Sequence, residues 1–163
     1  MNEIDTLVAQ LKSALTERHL KLAVAESLTC GKLQAALGSV SGASEFFEGG
    51  ITVYSLKQKI NWLNLQENQV LAVNGVSVSV AEQMAKAVCE KFAVDLSIST
   101  TGYAEPCPAQ QIEQPIAFIA LCHQQNLVAT QQINGDGLGR HAMQTLVVKT
   151  ALIALLNYIK TQL

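Results

Sequence analysis

Between Leu22 and Gln34 the chain reads LAVAESLTCGKLQ, an apolar run that stops at Glu26-Ser27 and resumes after Gly31 with helical spacing. This pattern puts Ser27 in a strand-to-helix turn. A serine there can serve as a nucleophile if a nearby base takes its proton. Backbone N–H groups near Thr29, Cys30 and Gly31, at the start of the helix, could then stabilise negative charge developing on a substrate. The base could be a histidine, or a lysine kept partly neutral by burial or by a neighbouring cation. The plainer reading is that Ser27 or Thr29 caps the helix. On these residues alone both readings stand.

Other reactive residues narrow the chemistry. Cys30-Gly31-Lys32 has the look of the end of a Walker A loop, but Leu33 follows the lysine where Ser or Thr is needed, and Glu26 takes the place of the first glycine. His19 falls at a helix exit and His123 at a hairpin turn, positions typical of solvated histidines, while His141 stays open as a triad member. Cys30, Cys89, Cys107 and Cys122 form no C-x-x-C pair and have no histidine at zinc-ligand spacing, so no metal site is expected. An even count permits disulfides, but reduced, structural thiols fit a cytoplasmic chain of this size.

The elements that must position Ser27 follow from periodicity. Ile4, Leu7, Val8, Leu11 and Leu15 predict an amphipathic helix over 3–17. Leu20 to Ala25 reads as a buried strand, Lys32 to Leu37 as a helix, Gly38 to Ser44 as a loop, Gly50 to Ser55 as a second strand, and Lys57 to Leu63 as a further helix. Ser79-Val80-Ala81-Glu82 fits a capping box opening a helix to about Phe92. Leu96 to Thr100 is the next strand, ending at Thr101-Gly102, and 103–114, with two of the three prolines, is a surface loop. Ile116 to His123 and Leu127 to Ile133 predict a hairpin through Gln124-Gln125-Asn126, and 141–160 the last helix. Helices alternating with short strands, plus one late hairpin, give a three-layer α/β/α domain with a mixed, mostly parallel sheet. Ligands bind such sheets at the carboxyl ends of strands, so the turns at Ser27 and Thr101, each a hydroxyl beside a glycine, are the places to look.

Bulk properties set the remaining bounds. A 163-residue chain with 49% hydrophobic residues can bury one full core, so 1–163 reads as a single domain. A net charge of −2 and scattered lysines and arginines offer no basic face to nucleic acid. No apolar run reaches the ~18 residues of a membrane span, and the N-terminus lacks a signal-peptide layout. A cytoplasmic protein acting on a small molecule is expected.

Six motifs, in order along the chain, carry a resemblance. Ala25-Glu26-Ser27-x-Thr29-x-Gly31 resembles the AESCTGG signature of the nicotinamide mononucleotide deamidase family, also called the CinA C-terminal domain family. Gly50-x-x-x-Tyr54-Ser55-x-x-x-Lys59 is similar to its GxxxYSNxxK segment. Val76-Ser77 with Val80-Ala81-x-x-Met84-Ala85 resembles its VSxxVAxxMA helix, and Thr101-Gly102-x-Ala104-x-Pro106 its TGxAGP. Pro115 is similar to the proline of KPVG, and Gly135-Asp136 to the start of GDR. The resemblance implies an amidohydrolase that converts nicotinamide mononucleotide to nicotinate mononucleotide and ammonia without metal or cofactor. Ser27 would be the nucleophile, and Lys59 with Tyr54 would move its proton. Thr29, Thr101 and Gly102 would border the pocket, Gly31 would let the backbone approach the ligand, and the protein would assemble as a homo-oligomer.

Departures from the family pattern cluster around the same pocket. Leu28 and Cys30 replace a cysteine and a glycine, Leu56 replaces an asparagine, and Ala104-Glu105-Pro106-Cys107-Pro108 stands where the family has AGPGG. Proline lacks the N–H that a phosphate needs and Glu105 adds negative charge, which weighs against a nucleotide. Gly137 replaces the arginine of GDR, leaving Arg140 or His141 as the basic residue. The alternative is therefore a relative that keeps the fold but has lost activity or changed substrate.

Overall fold

The computed structural model describes residues 2–163. Helix α1 (Glu3–Glu17) leads into β1 (Leu22–Glu26), α2 (Lys32–Gly38) and β2 (Phe47–Thr52). Three helices follow, α3 (Leu56–Leu63), α4 (Glu67–Ala72) and α5 (Val78–Lys91), before β3 (Leu96–Tyr103), β4 (Ile116–His123), β5 (Asn126–Asn134) and α6 (Arg140–Gln162). The sheet order is β2-β1-β3-β4-β5. β1 pairs in parallel with β2 and β3, while β4 runs antiparallel to both of its neighbours. Four strands thus point the same way, the mixed and mostly parallel sheet that the alternating elements predict.

Alternation along the strands builds two different faces. Leu22, Val24, Ile98, Ile119 and Leu121 point toward α1, α2 and α6 and form the larger core with Leu11, Leu33, Val147 and Leu155. The opposite face carries Ala23, Ala25, Ala120 and Cys122, and against these short side chains packs α5 through Val80, Ala81, Met84, Ala85 and Val88. Ser97 and Ser99 sit on the α5 side and donate to the Ala85 and Ala81 carbonyls at 2.7 and 2.5 Å, which removes the cost of burying their hydroxyls. Because β1 lies between β2 and β3, α2 crosses on one face and α3 to α5 on the other. The strand order therefore reverses beside β1, and Ser27 emerges at that reversal.

Several expectations are corrected. β2 begins at Phe47 and ends at Thr52, which leaves Tyr54 in a turn and Ser55 as the N-cap of α3, its hydroxyl accepting from the Gln58 N–H. The cap of α5 is Ser77, accepting from Val80 N–H at 3.1 Å, instead of Ser79. Helix α4, polar and six residues long, was not expected from the sequence. β3 runs on to Tyr103 because β4 supplies partners as far as Ile116, so Thr101 and Gly102 lie inside a strand. The hairpin turn is only Gln124-Gln125, both at positive φ. Helix α6 is, by length and composition alone, long and apolar enough to cross a membrane, although it holds no continuous apolar run of that length. Gln144, Lys149 and Asn157 interrupt its apolar run, and its Met143, Val147, Leu152 and Ile159 are spent on the core.

Candidate active site

Ser27 follows the last residue of β1 and is held by its main chain, whose N–H donates to the Thr100 carbonyl at 3.0 Å. The turn behind it is tied down by Glu26. This fully buried carboxylate accepts from the Thr29 hydroxyl at 2.5 Å, from the Gly31 and Leu33 N–H groups at 3.1 Å, and from the Gln34 N–H at 2.8 Å. Glu26 is therefore the cap of α2, from a position five residues before the cap residue Gly31. From α6, Gln144 donates to the Leu28 carbonyl at 2.8 Å and fixes the other side of the turn. The roles of Glu26 and Gln144 were missed from sequence. A lone acidic residue at a strand end gives a signal only when read with the orphan N–H groups of the next helix.

This arrangement revises where an oxyanion could be held. The Cys30 N–H donates to the Ser27 carbonyl and the Gly31 N–H to Glu26, so neither is free. Among the described residues, the N–H groups of Leu28 and Thr29 have no protein acceptor. Leu28 directly follows the serine, the usual place for an oxyanion donor.

The Lys59 amine lies 2.8 Å from Ser27 Oγ and 3.2 Å from the Tyr54 carbonyl. Lys59 is only 3% exposed, although the neighbouring Lys57 is exposed. Among the described residues no carboxylate pairs with it. Burial lowers its pKa from 10.5 to about 8, because the ammonium has given up water for two neutral oxygens. At pH 7 roughly one amine in ten is then unprotonated and able to accept a proton.

Gly75 sets the path of the lysine stem. Its φ is +69°, and a Cβ there would lie 2.6 Å from Leu56 Cδ2 and about 3.5 Å from Lys59 Cδ. The Thr101 hydroxyl donates to the Gly75 carbonyl at 2.6 Å, so Thr101 supports the site from behind. The expectation that Thr29 and Thr101 border the pocket is corrected: both are fully buried and bonded away from it. Gly31 is likewise spent on capping. Gly102 does border the cavity, and a Cβ there would come within 2.5 Å of the Ile116 carbonyl oxygen, so only glycine lets β3 and β4 close at this point.

The cavity over Ser27 and Lys59 has a volume of about 400 Å3, with Leu28, Tyr54, Asn74 and Tyr103 among its walls. Asn74 donates to the Tyr103 hydroxyl at 2.9 Å. A second compartment of about 160 Å3 shares Leu28, Tyr54, Gly102 and Tyr103, and is bounded beyond them by Glu105 and Arg140. Tyr54 spans the two: its carbonyl accepts from Lys59, and its phenol accepts from Arg140 Nη1 at 3.3 Å. Its link to Lys59 is thus through the main chain, where the resemblance had implied a proton-moving phenol. Arg140 is the basic residue brought to the cavity. His141 points elsewhere and accepts at Nδ1 from the Lys32 amine at 2.9 Å. His123 is bonded to Tyr158 at 3.0 Å, so the Ser27 hydroxyl meets the Lys59 amine and neither His123 nor His141. Among the described residues no His, Cys, Asp and Glu cluster could hold a metal, and all four cysteines are free.

Comparison with known proteins agrees with this architecture. The model of the CinA C-terminal domain matches residues 4–159. The CinA-like protein of Syntrophomonas wolfei subsp. wolfei is 31% identical over 157 residues, covering 96% of this chain and 37% of that protein. The chain spans less than two-fifths of the length of the curated relatives it matches. Among solved structures, competence damage-inducible protein A of Klebsiella pneumoniae subsp. pneumoniae superposes with a TM-score of 0.92 at 23% identity, over 99% of this chain and 100% of that one. A competence-damaged protein (CinA) superfamily protein of Escherichia coli gives 0.89 at 26%, over 96% and 92%. With a match over nearly its whole length and the fold in common, the chain belongs to the CinA C-terminal domain family.

Proposed function

We propose that this protein is a metal-independent serine amidohydrolase that converts a small primary carboxamide of the pyridine nucleoside or nucleotide class to the carboxylate and ammonia. The observation that carries the reading is the 2.8 Å contact between Ser27 Oγ and the buried Lys59 amine. A buried lysine without an acidic partner is costly to keep, and a lowered pKa beside a serine is what nucleophile activation requires.

In the proposed cycle the neutral Lys59 amine takes the Ser27 proton as Oγ attacks the carboxamide carbon. The N–H groups of Leu28 and Thr29 hold the oxyanion of the tetrahedral intermediate. Lys59 returns the proton to the departing nitrogen, ammonia leaves, and an ester remains on Ser27. Water, deprotonated by the same amine, then hydrolyses the ester and frees the carboxylate. Tyr54 shapes the cavity wall and fixes Lys59 through its carbonyl. No cofactor enters the cycle. Four free thiols fit a reducing, cytoplasmic setting, and homo-oligomeric assembly is carried over from the resemblance.

The test is ammonia release from nicotinamide mononucleotide, its nucleoside and a panel of small primary amides, with Ser27→Ala as the control. Turnover of at least one of them that the substitution abolishes is the expected result. Release that persists in Ser27→Ala, or no turnover of any amide, contradicts the reading.

A further inference from the structure

Arg140, in the first turn of α6, stands over the smaller compartment, the end of the cavity remote from Ser27. Its guanidinium is already engaged. Nη1 donates to the Tyr54 phenol at 3.3 Å and Nη2 to Glu105 Oε1 at 2.5 Å. The cation that would receive an anionic group at the far end of a substrate therefore has an anion of its own. Arg140 in turn holds the Glu105 carboxyl below the usual range, so Glu105 keeps its charge at neutral pH.

From Pro106 to Pro108 the loop offers no substitute donor. Pro106 and Pro108 have no N–H, and the Cys107 N–H donates to the Ile112 carbonyl at 2.9 Å. A phosphate entering here must either displace Glu105 from the guanidinium, losing a charge-assisted hydrogen bond, or lie beside it at like charge. A neutral hydroxyl end meets neither obstacle, because it can bond to Glu105, Arg140 or Tyr54 as the pair stands.

Resting on the amidohydrolase reading above, we propose that Glu105 is a specificity-determining residue that turns the site toward carboxamides whose far end carries no phosphate, a nucleoside in preference to its nucleotide. Specificity here comes from a repulsive element placed against the charged competitor. Both side chains of the pair are about half exposed, which screens the repulsion and sets the expected discrimination near tenfold.

The experiment compares kcat/KM for nicotinamide riboside and nicotinamide mononucleotide in the wild type and in Glu105→Gln. The wild type should prefer the riboside. The substitution should move the ratio about tenfold toward the mononucleotide, chiefly through KM, with the shift shrinking as salt rises from about 50 mM to about 500 mM. A wild type that prefers the mononucleotide, or a ratio that stays within about twofold in the variant, overturns the proposal while leaving the amidohydrolase intact. Calorimetric titration of both ligands into Ser27→Ala, with and without Glu105→Gln, reads the same preference without turnover. The preference and its shift in binding, with no hydrolysis by the wild type, would sink the enzyme and keep the selectivity. Failure of both ligands to bind overturns the selectivity as well.

Discussion

At the inner end of the cavity Lys59 is buried against a serine hydroxyl and a carbonyl, with no counter-charge. At the outer end Arg140 faces a carboxylate in partial contact with water. Burial without a partner lowers the lysine pKa to about 8, while pairing raises the arginine pKa further and ties it to Glu105. Unpaired burial leaves part of the amine neutral at pH 7; exposed pairing leaves a fixed, self-neutralised cation that adds little stability. In the function proposed above, chemistry falls where the sequence keeps the family residues, and discrimination where it departs from them.

Removing the inner end should have the largest effect. Ser27→Ala is expected to lower kcat for amide hydrolysis by at least about a thousandfold, with substrate still bound in calorimetry. Wild-type rates would transfer the nucleophile elsewhere. Next is Gly75→Ala, where a Cβ meets Leu56 at 2.6 Å on a backbone with φ of +69°. It should destabilise the fold by roughly 1–3 kcal/mol and lower kcat more than it changes KM, since Lys59 loses its position. Denaturant melts and steady-state kinetics check both parts.

Lys59→Met gives a smaller effect of opposite sign. The folded pKa lies below the unfolded value of 10.5, so the unfolded chain binds more protons between about pH 8 and 10.5. The lysine therefore costs stability below pH 8, and that cost fades as pH rises through the window. The variant should be more stable than wild type by roughly 1–3 kcal/mol at pH 7 and no more stable near pH 10.5. An unchanged gap across the window would mean that Lys59 does not titrate as described. The smallest change belongs to the outer end, where Glu105→Gln should leave the melting temperature unaltered and shift only the substrate ratio.

The same contrast explains what could be read in the sequence. Local periodicity located α1, the β4–β5 hairpin and α6 within a few residues, because apolar spacing there matches the buried face. Helix α4 escaped because Glu67-Asn68-Gln69 has no apolar stripe, and the end of β3 because Gly102 and Tyr103 are strand only through pairing with β4. The capping-box spacing of Ser79 and Glu82 points to Ser79 as the cap of α5, but the helix already starts at Val78 and the Ser77 hydroxyl takes that role. At the site, Ser27 was visible as a hydroxyl at a strand end. Lys59 sits in a polar stretch and carries no mark of burial; only the resemblance pointed to it. That Thr101 turns away to Gly75, and that Arg140 and not His141 reaches the cavity, depends on side-chain direction, which spacing does not encode.

The central claim is that a neutral lysine amine draws the proton from Ser27, and the pH dependence of kcat/KM for ammonia release measures it most directly. The expected profile rises with pH, follows a single group, reaches half its plateau near pH 8, and is lost in Lys59→Met together with activity. A profile flat from pH 6 to about 9, or a limb near 8 that survives in Lys59→Met, would contradict it.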